Sequence, residues 1–291
     1  MRNFSLFLLC TCLSVLPLHA QENSDLKGTA CIPVQTVNED ELVFQAGETM
    51  DFVLQYNWLG LNADVGYATV RLDSLDFNGE KAFLCDAQGW TARFFDFFFK
   101  VREDFKSWFT RDGLRPLKFT RDTHEGGYKA KNTYIYDWNQ PEPHIVAYCW
   151  SNKKGQKSLD IPLTPCTFDL PSLFFYARNM DLDKVEPGRK YPMTFAIDDE
   201  VFNVYFILHG REKITVEGLG TVNTIKFGAK LLEGEVFKGD KDMLIWISDD
   251  RNRVPVYFEA PLLVGLATGR MTGCKGLKHP FEALLEDNRM N

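Results

Sequence analysis

The chain lacks the signatures of the common catalytic classes. It has no GxSxG elbow, no phosphate-binding loop, no HExxH pair and no dinucleotide fingerprint. Cysteine spacing of the CxxC type is also missing, so zinc binding has no support and no metal or other cofactor is expected. Histidine is scarce, and His124, His144, His209 and His279 are each isolated from the others in sequence. Positive charge is not in excess: 33 Lys and Arg stand against 40 Asp and Glu, which argues against a nucleic-acid partner. No Ser/Pro/Gly-rich linker or block of like charge divides the chain. After residue 20 no apolar run approaches the length of a membrane-spanning helix.

The N-terminus is the exception. Arg2, the apolar run Phe4 to Leu16 and then Leu18-His19-Ala20 read as a secretory signal peptide cut after Ala20. Cys10 and Cys12 lack the small-residue context of a lipidation site. The expected product is a soluble, exported protein, periplasmic or envelope-associated, beginning at Gln21. Five cysteines follow (Cys31, Cys85, Cys149, Cys166 and Cys274), an odd number, so at least one thiol cannot pair within the chain. The spacing leaves the pairing open.

What the sequence does have is strand grammar. Met243 to Met271 holds three runs and two turns: Leu244 to Ser248 alternates, Asp249 to Arg253 breaks it, and Val254, Val256 and Phe258 resume it. Pro255 belongs at an edge, a bulge or the start of a strand. Leu262 to Met271, with Gly265 and Gly269, reads as a strongly bent third run. The same pattern fills the rest. Met50 to Trp58, Val65 to Leu75 and Lys81 to Ala87 alternate, the last two joined by Asn78-Gly79, a strong tight-hairpin signal. Further runs cover Arg102 to Thr110, Arg115 to Thr123, Tyr128 to Asp137, His144 to Trp150 and Lys157 to Ile161. Tyr191 to Ile197 pairs with Val201 to Leu208 across Asp198-Asp199, and Glu212 to Val216 with Thr221 to Leu231 across Gly218 and Gly220.

Two stretches depart from this pattern. Gly89 to Val101 (GWTARFFDFFFKV) carries phenylalanine on every side and reads as a short helix or irregular connection. Asp169 to Asn179 (DLPSLFFYARN) is a helix, with Asp169 as cap and Pro171 early. Residues 21–43 read as an extended leader and Leu277 to Asn291 as a polar, briefly helical tail. The expected fold is one all-β, mainly antiparallel domain over 44–291, a long meander curled into a roll or half-barrel with one short helix at its side or mouth. Two sub-sheets meeting near Pro165 are the structural alternative.

The titratable residues suggest mostly structural roles. Asp249-Asp250 and Asp198-Asp199-Glu200 are candidate carboxylate pairs, but both sit in turns, where Asp accepts hydrogen bonds from backbone amides. Glu103-Asp104 and Arg102 suit cross-strand pairing. His124-Glu125 and His209-Gly210 read as turns. Aromatics are the richer signal. Trp58, Trp90, Phe94, Phe95, Phe97, Phe98, Trp108 and Trp150 are the candidate ligand-binding residues, lining an apolar concavity suited to a lipid-like molecule; equally, such rings fill a large β core. An exposed Phe94 to Phe99 cluster would instead mark a contact surface.

QAGETMDFVLQYNWLGLNADVGYATV at Gln45 to Val70, FKVREDFKSWFTRDGLRPLKFTRDTHEGGY at Phe99 to Tyr128, DLPSLFFYARN, and IWISDDRNRVPVYFE at Ile245 to Glu259 together resemble the DUF3108 family of exported bacterial proteins. That resemblance implies an envelope protein with a mostly antiparallel β structure and carries over no catalytic residue. A looser architectural analogy runs to periplasmic lipoprotein carriers. The leading expectation is a non-enzymatic exported protein that binds a hydrophobic ligand in a curved sheet. The alternative is a structural or protein-interaction component of the envelope, and a carboxylate-dependent hydrolase built near Asp249 or Glu103 ranks third.

Overall fold

The computed structural model describes residues 32–164, 166–197, 200–230 and 241–287. Its strands are β1 (Glu48–Trp58), β2 (Leu61–Phe77), β3 (Glu80–Thr91), β4 (Val101–Thr110), β5 (Pro116–Glu125), β6 (Tyr128–Asp137), β7 (His144–Ser151), β8 (Gly155–Pro162) and β9 (Thr167–Phe168). Helix α1 (Leu170–Arg178) follows. The remainder are β10 (Lys190–Ile197), β11 (Glu200–Val216), β12 (Gly220–Lys230), β13 (Asp242–Ser248), β14 (Pro255–Pro261), β15 (Leu266–Lys275) and β16 (Leu284–Asp287).

All the strands belong to one open sheet. Its order runs from β8 back to β1, then β15 back to β9, and β16 is added beside β12. Two meanders are thus fused along β1 and β15, where Met50 faces Cys274 and Tyr56 faces Ala267. Local turn chemistry makes the hairpins. Asn78 and Gly79 both take positive φ, 55° and 90°, and Asp76 Oδ1 accepts from Gly79 N at 2.6 Å. Pro255 opens β14 opposite a register shift at Trp246/Ile247, so its missing donor interrupts no ladder.

Strand twist and register shifts at Leu54/Gln55, Trp108/Phe109 and Leu208/Gly210 curl the sheet. The inner faces of its two ends meet in one core, where Phe105, Phe119, Tyr134 and Ile145 pack with Met193, Val204, Leu208 and Phe227. Helix α1 lies inside the curve: Leu173 joins that core, and Phe175 joins a second one with Phe44, Met50, Phe83 and Val256. A capping box starts the helix, Asp169 Oδ1 accepting from Ser172 N at 2.9 Å, and Ser107 Oγ on β4 donates to Asp169 Oδ2 at 2.9 Å. Arg178 closes it. Its guanidinium forks onto Glu48 of β1, Nη2 to Oε1 at 3.0 Å with a second contact from Nη1 to Oε2, and donates to the Asn252 carbonyl at 2.8 Å.

Several expectations change. The helix, expected at the side or mouth of the roll, lies within the curve, its buried Leu173 and Phe175 facing two different cores. From Ile32 onward the expected leader is packed: Ile32 and Leu42 are buried, and Val34 bridges to Met180. His209-Gly210 is a bulge within the continuous β11, not a turn, because β12 pairs with β11 on both sides of it. Within the expected helical tail, Leu284–Asp287 form a strand. β13 pairs with β12 from Thr224 onward, and β16 takes the edge left open at Gly220 to Val222. A single strand order replaces the two-sub-sheet alternative. The Asp198-Asp199 turn and the side chain of Glu200 lie outside the described residues.

Candidate functional site

Three neighbouring hairpin tips share one rim of the roll: β1–β2, β3–β4 and β14–β15. Each carries apolar side chains where polar ones are usual. Leu59 is 84% exposed and Phe97 88%, and Phe94, Phe98, Leu263 and Val264 are also exposed. Leu59 and Gly60 form a tight turn with φ of 48° and 81°, which projects the leucine outward. Gly265 has φ +82°, and a Cβ there would come within 2.6 Å of the Asn57 carbonyl oxygen, so only glycine lets the β14–β15 tip pack against β1. Tyr56 Oη donates to the Val264 carbonyl at 3.1 Å, tying the two tips together.

The phenylalanine tip is held open by its one acid. Phe95–Phe97 forms a single 3-10 turn. Asp96 at its centre receives Arg102 Nη1 at 2.9 Å, Arg102 Nη2 at 2.5 Å and Thr91 Oγ1 at 2.5 Å. The Arg102 hydrogen bond holds the Asp96 carboxyl down at about 2, so the pair is charged at any physiological pH. Phe95 and Phe99 turn inward onto a small core with Leu54, Val65, Val101 and Phe258, and the Phe99 ring sits against Gly126. Phe94, Phe97 and Phe98 are left to touch one another, with Phe94–Phe98 ring centroids 5.6 Å apart and Phe97–Phe98 5.4 Å. Exposed Arg93 and Lys100 flank them.

The eight aromatic candidates therefore do not line a common concavity. Phe94, Phe97 and Phe98 project from the tip, Phe95 packs inward below them, and Trp58 is half-exposed at the rim. Trp90, Trp108 and Trp150 stand on the outer face, because they alternate with the inward Thr91, Phe109 and Cys149. Tertiary structure decides this point: alternation fixes that neighbours oppose, but not which side becomes concave. Sequence reasoning missed Leu59, Leu263 and Val264. An apolar residue directly before Gly60, and two more directly before Gly265, were the available signal.

A second cluster lies buried beneath this rim. Arg121 Nε stands 3.4 Å from Glu103 Oε2, and Arg121 Nη2 stands 3.3 Å from Glu125 Oε1. Thr123 Oγ1 contacts both carboxyls, Glu103 closely and Glu125 at 3.2 Å. Burial, the hydrogen bond to Glu103 and its negative charge push Glu125 up to about 9, so the pair retains a proton at neutral pH. His124 faces the other side of the strand, away from the two carboxyls.

Of the candidate pair Asp249-Asp250, Asp250 caps its turn, its Oδ1 accepting from Ser248 Oγ at 2.8 Å and Asn252 N at 2.9 Å, and Asp249 pairs with Arg211 at 3.0 Å. Among the described residues no three His, Cys, Asp or Glu side chains are grouped to hold a metal ion. Nor is any helix there long and apolar enough to cross a membrane, which says nothing of strands.

Among solved structures, the chain is similar to a β-barrel-like protein of domain of unknown function DUF1849 from Brucella abortus, with 10% identity and a TM-score of 0.53 over 81% of this chain and 100% of that one. At that identity the likeness concerns fold alone. A "putative lipoprotein" from Parabacteroides distasonis aligns over 84% of this chain and 100% of its own at 10% identity, with a TM-score of 0.33. No match was found among the curated proteins. The family profile described as "Protein of unknown function (DUF3108)" matches residues 29–272, so the chain belongs to the DUF3108 family.

Proposed function

We propose that this is an exported, non-enzymatic protein of the bacterial envelope that docks its apolar rim onto an acyl-chain surface. One observation carries the reading: Phe94, Phe97 and Phe98 stand exposed beside Leu59, Leu263 and Val264 on adjacent hairpin tips. Burying a phenylalanine ring yields about 1.5–3 kcal/mol, so three rings and three aliphatic side chains can offset the cost of immobilising the protein at a surface. Convex tips suit insertion between lipid headgroups better than enclosure of a single ligand, and the interior is occupied by α1 and two cores. Arg93 and Lys100 favour an anionic headgroup layer. The apolar leader before Gln21 supports export.

Vesicle flotation tests the reading. Protein lacking residues 1–20 should float with vesicles of phosphatidylethanolamine and phosphatidylglycerol, and Phe97→Asp with Phe98→Asp should cut the bound fraction at least tenfold while leaving the circular dichroism spectrum unchanged. Equal flotation of the variant, or none by the parent protein, would overturn it.

A further inference from the structure

The outer face of β3 to β7 carries a second surface, linked to the rim through the Arg102–Asp96 pair. Two depressions lie on it, of about 660 Å³ and 270 Å³, and they run together because Asp122 and His124 line both. Strand register sets the residues in two rows. In one, Trp90 stands opposite Arg102, and Arg102 opposite His124. In the other, Asp104 stands opposite Asp122, Asp122 opposite Lys131, and Lys131 opposite Trp150. Each end of the trough thus has a tryptophan. Trp90 is flanked by Tyr67 of β2, ring centroids 6.1 Å apart, and Trp150 is 40% exposed. Four strand steps separate the two tryptophans, about 19 Å at ~4.8 Å per strand.

The charges along the trough largely cancel. Arg102 is paired with Asp96 at 2.5 Å, Lys106 lies 3.5 Å from Asp104, and Lys131 lies 2.7 Å from Asp122. Lys129, opposite His124 in the smaller depression, is the one lining cation with no ion pair among the described residues, too little to hold an anionic polymer, and an acyl chain would have to desolvate every one of these groups. What fits is a long, uncharged molecule with apolar ring faces and many hydroxyls. The exposed Trp150 and the half-buried Trp90 offer flat apolar platforms, and carboxylates, imidazole and ammonium groups alternate acceptors with donors between them.

We propose that this face binds a neutral saccharide chain, its sugar rings stacked on Trp90 and Trp150 and its hydroxyls hydrogen-bonded to Asp104, Asp122 and His124. The test titrates the protein lacking residues 1–20 with cellotetraose, chitotetraose and maltotetraose by calorimetry. Binding to at least one of the three probes is expected. It should weaken at least tenfold in Trp90→Ala and in Trp150→Ala, and measurably in Asp122→Asn, while Lys213→Ala on β11 leaves it unchanged. Circular dichroism of each variant checks that the fold is retained. Absence of binding to all three probes at millimolar amounts would overturn the proposal. So would binding that survives loss of both tryptophans, or a salt-sensitive preference for heparin over the neutral probes.

Discussion

Arg121 places one cation between two carboxyls in a space nearly closed to water, and its neighbours depend on it. Arg121→Met should destabilise the fold by about 3–5 kcal/mol, because it leaves the buried carboxyl pair uncompensated; a loss under 1 kcal/mol in chemical denaturation would mean that the pair is hydrated. Glu125 sets a pH dependence of definite sign. Its carboxyl titrates near 9 in the fold against an ordinary value of 4.5, so the fold holds a proton that the unfolded chain has released. That contribution is complete at acid pH and is lost as pH rises toward 9. Asp169, pushed up to about 7 by complete burial, acts in the same direction over a lower range. Burial raises Glu103 as well, and Asp169 still titrates just above pH 7, so the prediction is comparative: from pH 7 to 9 the thermal midpoint should fall more steeply in the parent protein than in Glu125→Gln. Parallel curves for the two proteins would remove the assignment.

At the scale of elements, helix α1 and the β14–β15 hairpin are the joints of the roll. Removing the cap with Asp169→Ala should cost about 1–2 kcal/mol, since it leaves Ser172 N without its partner and frees the Ser107 hydroxyl inside the fold. Gly269 faces the Phe258 ring so closely that an added Cβ would lie 2.1 Å from it, whereas Gly273 on the same strand has nothing within 4 Å. Gly269→Ala should cost about 1–3 kcal/mol through overpacking, and Gly273→Ala well under 1 kcal/mol. Equal denaturation midpoints for the two variants would contradict the packing described for this hairpin.

Across the whole molecule, cysteine reactivity reports how the sheet opens. Cys85 is completely buried, and burial together with the Asp169 carboxylate raises its thiol well above the usual range. Cys149 is also buried, Cys274 is half-buried, and Cys166 is disulfide-bonded. Maleimide added to the native protein should reach Cys274 first, and Cys85 and Cys149 only after unfolding, as read by peptide mass spectrometry. Labelling of Cys85 at the rate of Cys274 would mean that the two meanders separate in the native state.

Much of this architecture was legible in the chain. Asn78-Gly79 and Asp249 to Arg253 announce their turns, Asp169-Leu-Pro announces the helix, and period-two alternation marks nearly every strand, because each of these signals acts within a few residues. Other features required contacts between distant segments. β1 pairs with β15, the tail completes the edge of β12, and Ile32 and Leu42 are buried. Glu103 was legible on a strand, but Glu125 read as part of a turn although it ends β5, and alternation alone assigns no side to the core. Both faces of the sheet carry aromatics, so patterning could not tell the rings that fill the roll from those on its outside. The side against which α1 docked made that choice: it buried Phe105, Phe119 and Tyr134 and left Trp90, Trp108 and Trp150 outside the curve. Sequence by itself determined the hairpins and the helix. Tertiary structure alone decided which face is concave, and that brought three apolar tips onto one rim.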